Sequence, residues 1–237
     1  MLRTTQHLTI TAILVLTLFW TAPIQSQVFN EFEVNYSIGP SFRITNTSNL
    51  SDEDLVLREA QKPRNSSSLH FLLNKKLKED LVLNVGIGIL SMGYYIIKDV
   101  PWPFPDLSGD PQFLSQSESQ HYFDVPVFVT KTFNGKKIIP LIQGGLIYGH
   151  YLQTHTIQGL NGDRNRFNER REYVNSSNII AQIGVGIKTQ KLKGANYALK
   201  AFYRHQLNPI TKALGNEYLF QYGIEFSLIH NFIKKEE

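Results

Sequence analysis

Glu31-Phe-Glu-Val-Asn-Tyr-Ser-Ile-Gly-Pro-Ser-Phe-Arg-Ile-Thr45 decides the fold class. Its even positions are Phe32, Val34, Tyr36, Ile38, Pro40, Phe42 and Ile44, all apolar. Its odd positions are Glu31, Glu33, Asn35, Ser37, Gly39, Ser41, Arg43 and Thr45, all polar or small. Side chains alternate sides with period two only along a strand, so this stretch reads as a strand with two opposed faces.

The same alternation recurs in residues 68–76, 81–97, 122–133, 178–189, 197–207 and 218–232, with a less regular copy at 138–152. The connections alternate in length. Residues 46–67, 98–121 and 153–177 are long and 208–217 is intermediate, whereas 77–80, 134–137 and 191–196 are short. Asn134-Gly135 is a hairpin signal within one of the short ones. Strand propensity does not produce a long–short rhythm. An antiparallel barrel with tight turns at one end and loops at the other does. The expectation is therefore an all-β, eight-stranded antiparallel up-and-down barrel. Asn-x-Ser/Thr sequons at Asn46, Asn49, Asn65 and Asn175 read as loop composition.

Alternation alone does not say which face is outside, but the residue types do. The polar face is rich in Gly and Ser, which suit a narrow interior better than a solvated surface. Its charges come in both signs: Glu33, Arg43, Asp124, Lys188, Lys200, Arg204 and Glu225. Such groups can pair inside a lumen, where an unpaired charge would be costly. The apolar face is aromatic near strand ends (Phe32, Phe42, Phe123, Phe133, Tyr197, Tyr218, Phe220), as an interfacial girdle requires. These features point to a barrel that spans a membrane and is closed, because open strand edges would leave backbone groups unpaired in hydrocarbon. The competing reading is a soluble lipocalin-like barrel, which needs a charge-rich outer face. Charged residues are only 19% of the chain.

The rest of the composition fits. Residues 1–26 read as a secretory signal peptide, with Arg3 before a 13-residue apolar run and Ala22, Pro23 and Ser26 as a small-residue end. Residues 27–232 form the barrel and 233–237 a short charged tail. No cysteine occurs, which excludes thiol catalysis, cysteine–zinc sites and disulfides. A net charge of +4 nominates no nucleic-acid partner. Mean hydropathy is −0.21, an average over two opposite faces.

Within this frame the chain resembles the outer-membrane β-barrel domain family of Gram-negative envelopes, in its PorT-like branch common in Bacteroidetes. The residues that carry the likeness are Gly86-Ile-Gly-Ile-Leu-Ser-Met-Gly93, Tyr122-Phe-Asp-Val-Pro126, Phe202-Tyr203 and Leu207-Asn208. Phe202 and Gln206 stand where the family often has Arg and Gly. The resemblance implies the fold and an outer-membrane location, and no catalytic residues.

No H-E-x-x-H, G-x-S-x-G or Gly-Lys-Ser/Thr pattern occurs, and no cofactor or metal is implied. His150 and His155, five apart, point to opposite faces of a regular strand. A lipid-modifying enzyme would need a rim triad, for which His121 or His155 with a serine and Asp124 or Glu172 are the available groups. No spacing selects them. The expectation is a non-enzymatic, monomeric outer-membrane barrel whose extracellular loops serve binding, adhesion or assembly of envelope or secretion machinery. Trp102 and Phe104 sit in a stiff Pro-x-Pro-x-Pro segment, and Arg164, Arg166, Arg170 and Arg171 suit anion or lipopolysaccharide-phosphate contact. The partners so implied are outer-membrane lipid, lipopolysaccharide or another envelope protein.

Overall fold

The computed structural model describes residues 29–46, 61–99, 113–160, 163–169, 174–189, 195–211 and 216–232. The leader, the tail, Trp102, Phe104, Arg170, Arg171 and Glu172 lie outside the described residues.

Among the described residues there are nine strands, all antiparallel: β1 Glu31–Asn46, β2 Gln61–Lys78, β3 Leu81–Asp99, β4 Phe113–Thr132, β5 Ile138–Leu160, β6 Asp163–Glu169, β7 Ser177–Thr189, β8 Ala195–Gln206 and β9 Asn216–Asn231. They pair in the order β4-β3-β2-β1-β9-β8-β7-β5-β6, and β4 also pairs with β5. That last pairing joins the sheet to itself. Eight strands form a ring, and β6 hangs on β5 outside it.

The register fixes the geometry of the ring. Stepping across directly opposed residues gives His150, Phe123, Ile89, Leu69, Tyr36, Phe226, Leu199, Ile187 and Pro140. One circuit returns to β5 ten residues (150 − 140) lower than it left. With eight strands about 4.8 Å apart and about 3.3 Å per residue, that shear corresponds to a tilt of about 40° and a backbone radius of about 8 Å. A ring that narrow is filled by its own side chains.

The faces sort as the alternation demands. On β1, Glu31, Glu33, Asn35, Ser37 and Ser41 are buried, whereas Tyr36 and Ile38 are more than 40% exposed. On β7, Ile179, Ile183, Val185 and Ile187 are exposed and Gln182 is buried. The outside is therefore apolar, and the inside holds the charged and amide side chains together with a buried apolar cluster that includes Leu72, Leu90, Phe128, Ile147, Ile180 and Leu219; a lipocalin-like barrel would not place its charges inside. On β8 the outward stretch from Tyr197 to Leu207 rises about 25 Å at this tilt, the height of a membrane barrel's apolar band.

Two differences from the sequence reading have one cause. The described residues form nine strands rather than eight, because residues 163–169 of the expected long loop fold back as β6. Several ring strands also run on past their alternating segments: β2 begins at Gln61, β4 at Phe113, and β5 continues to Leu160. These extensions stand beyond the apolar band, where both faces are polar, so they carry no periodic signal. Asn46 and Asn65 accordingly lie on β1 and β2 rather than in loops.

The β1–β9 seam shows why small residues sit where they do. A Cβ added to Gly39 would strike the Tyr222 carbonyl, and one added to Gly223 would strike that of Ile38. The two strands approach closely here, beside Pro40, which has no N–H to give to the ladder.

Candidate functional site

The lumen is built in tiers. Nearest the short turns, Lys188 of β7 pairs with Glu31 of β1 at 3.4 Å. One tier up, six side chains form a closed circuit of hydrogen bonds. Asn74 donates to Glu33 (2.9 Å), Asn84 to Asn74 (2.7 Å), Thr130 to Asn84 (2.7 Å) and Gln143 to Thr130 (3.0 Å). Lys200 completes it by donating to Gln143 (3.2 Å) and to Glu33 (3.5 Å). The circuit visits β1, β2, β3, β4, β5 and β8 and closes the bore. Just below it lies a small pocket lined by Glu31, Glu33, Asn84, Gln143, Lys188 and Lys200.

The next tier holds the buried charges. Glu225 is fully buried and in direct ion-pair contact with Lys200. It also faces the Arg204 guanidinium at 3.6 Å and accepts from Gln182 at 3.2 Å. Arg204 donates to Gln182 and Gln221 and lies over the Phe202 ring at 4.5 Å. Four charges, two of each sign, thus neutralise one another: Glu33, Lys200, Glu225 and Arg204.

Asp124 belongs to a different pair. Its partner is His70, at 3.2 Å, and both are fully buried. Higher still, Arg43 bridges the mouth. It bonds Glu217 of β9 and Tyr94 of β3, both at 3.0 Å, and Tyr94 donates to Glu118 of β4 at 2.7 Å. The candidate interior residues therefore fall into four hydrogen-bonded or ion-paired groups, with Asp124 still within electrostatic reach of Arg204. Lys200, Arg204, Glu225 and Glu33 come together, while Lys188, Asp124 and Arg43 each pair elsewhere. Their partners Glu31, His70, Glu217, Asn74, Asn84 and Gln143 are set by cross-strand register, for which sequence spacing gives no signal.

Beyond the ring stands a wall made of the extended ends of β3, β4 and β5 with β6. β5 pairs with β7 as far as His150 and with β6 from Thr154 onward. Arg166 is exposed on β6, opposite Ile157, and Arg164 is opposite Gly159. Asn165, Phe167 and Asn168 are exposed as well. Of the loop candidates, these two arginines are the ones described, and they lie on a strand.

Of the residues available for a rim triad, Glu172 lies outside the described residues. Asp124 is committed to His70 inside the lumen. His155 contacts Asn168 through Nδ1 at 2.5 Å, and His121 lies opposite Ser91. No group of three or more metal-ligating side chains occurs among the described residues.

No family model and no curated protein matches the chain. Solved structures with a similar path include Neisserial surface protein A, at 10% identity over 84% of this chain and 96% of that one, with a TM-score of 0.41. Ail of Yersinia pestis, in complex with the heparin analogue sucrose octasulfate, is 10% identical over 85% of this chain and 99% of its own, with a TM-score of 0.38. The outer membrane enzyme PagL is 12% identical over 82% and 97%, also with a TM-score of 0.38. Likenesses this distant assign neither family nor activity; the architecture of this chain rests on its own strand pairing, an antiparallel all-β sheet closed into a ring.

Proposed function

We propose that the chain is an integral outer-membrane β-barrel whose lumen is a structural plug and whose wall and long connections bind a partner. One observation carries this reading: exposed Ile, Val, Leu, Phe and Tyr cover the outside of the ring while charged and amide side chains are buried inside. In water that arrangement would leave an extended apolar surface exposed, whereas in lipid it is the stable one. The side chains that meet across the bore through Glu33, Asn74, Asn84, Thr130, Gln143 and Lys200 support a plugged lumen. Contact with lipopolysaccharide or another envelope protein then falls to the outer end, where Arg166 and the wall stand clear of the band. The PorT-like resemblance is the finer part of this reading and favours a role in envelope assembly or secretion. Fractionation tests the proposal. The protein should sediment with outer membranes and resist carbonate extraction; full recovery in the soluble periplasmic fraction would refute it.

A further inference from the structure

The edge of the apolar band nearest the short turns is not the same all the way round. On β7, β8, β9 and β1 its outward residues are Thr189, Tyr197, His230 and Phe32, none of them a lysine or arginine. On β2 and β4 the same edge carries lysine. Asn74 of β2 is buried in the lumen and the next residue, Lys75, is exposed; Thr130 of β4 is buried and the next residue, Lys131, is exposed. Both lysines therefore share the outward phase of Val127 and Val129.

Strand β3 lies between them. Lys75 is directly opposite Leu83, Leu83 is opposite Val129, and Lys131 is opposite Leu81. Two cations thus flank an apolar strip, and the two strand spacings between β2 and β4, about 10 Å, are within reach of two lysine stems extending from either side. Away from the turns the strip continues over Val127, 42% exposed, and Ile89, 58% exposed. The two hairpins beside it add more of both kinds. Lys76, Lys78, Lys136 and Lys137 are exposed, and so are Leu77, Phe133 and Ile138. The carboxylates on these hairpins are Glu79 and Asp80, so the lysines outnumber them six to two. Lys131 reaches Asp80 at 3.9 Å and lies over the Phe133 ring at 6.0 Å; among the described residues no other ion pair involves these six lysines.

We propose that Lys75 and Lys131 seat the phosphate of an anionic phospholipid in the leaflet on the turn side, with its acyl chains over Leu83, Val127 and Val129. The inference rests on the band lying in a bilayer. A lysine at the edge of an apolar surface lays its stem along that surface and lifts its ammonium to the headgroups. Exposed Leu77, Phe133 and Ile138 on the same hairpins suit that depth. An acidic soluble partner would use the ammonium groups and leave these apolar side chains in water.

The test uses the full-length protein folded in detergent micelles, with folding checked by heat-modifiable gel migration so that failure to form the barrel is seen separately. Native mass spectrometry then compares retention of phosphatidylglycerol with that of phosphatidylcholine carrying the same chains. Wild type should retain phosphatidylglycerol in preference. Each lysine beside an anionic headgroup is worth roughly fivefold, so the double variant Lys75→Gln, Lys131→Gln should retain it about twenty-five-fold less. Lys75→Gln alone, which leaves the Asp80 pair intact, should show the smaller loss. The double variant Lys75→Arg, Lys131→Arg keeps both charges and should keep the preference. Lys62→Gln, at the far end of β2, should behave as wild type. Equal retention of the two lipids by wild type, or of phosphatidylglycerol by wild type and the double Gln variant, would overturn the proposal. Complete displacement of phosphatidylglycerol by inorganic phosphate would overturn the lipid assignment.

Discussion

Replacing Glu225 by Gln keeps the shape of the side chain and removes one charge from the centre of the lumen. The four-charge group then changes from neutral to +1. Lys200 retains Glu33 at 3.5 Å, but Arg204 loses its ion-paired carboxylate and is left with Gln182, Gln221, the Phe202 ring and the more distant charge of Asp124. Breaking a buried pair by removing one partner costs about 3–5 kcal/mol. The lower end applies here, because one of the two cations keeps a partner, so the expected loss is about 3 kcal/mol. With an m-value of about 1–3 kcal/mol/M, the urea midpoint of the barrel refolded in lipid vesicles should fall by about 1–3 M. The compensating variant Glu225→Gln, Arg204→Gln restores neutrality and should recover part of the loss, because the two sites are coupled. An unchanged midpoint for Glu225→Gln would refute the reasoning. So would a double variant less stable than the sum of the two single changes predicts.

Four further outcomes follow from the same geometry. Cysteines placed at Ser108 and Asn168 should react with an impermeant thiol reagent on intact cells, and one at Lys136, in the short β4–β5 connection, should not; the reverse pattern would invert the topology. Shortening residues 162–172 should leave a folded, heat-stable ring, because β5 pairs with β7 independently of β6, while removing partner binding; loss of folding would show that the wall is part of the core. Gly39→Val should hinder closure of the β1–β9 seam, and the fraction of heat-modifiable barrel should drop relative to Gly144→Val, whose added Cβ has room. Planar-bilayer recordings should show no large stable conductance steps from wild type, as the closed circuit through Glu33, Asn74, Asn84, Thr130, Gln143 and Lys200 demands.

Much of the fold was legible because a barrel wall writes its two environments into alternate residues. Glu31 to Thr45 states which face is which, and seven further segments repeat it. Residues 163–169 were not legible for the same reason: both faces of β6 are exposed, so nothing alternates. The polar ends of β2, β4 and β5 were missed likewise. Within the lumen, the residue types that pair could be read, but their partners could not. Asp124 meets His70 rather than a lysine or arginine because the β2–β3–β4 register sets both beside Gly88, and the shear of ten residues decides which tier each charge occupies. The loop arginines illustrate the opposite limit. Composition marked them as anion-contact candidates, yet the structure puts Arg164 and Arg166 on a strand.

The central claim is that the odd positions of β7 face lipid and the even ones face a plugged lumen. A nitroxide scan from Ile179 to Lys188 in reconstituted vesicles measures this directly through collision with oxygen and with a water-soluble nickel chelate. Oxygen maxima are expected at Ile179, Ile183, Val185 and Ile187, with low collision rates for both reagents at Ile180 and Gln182. Nickel-chelate maxima at those same odd positions would contradict it.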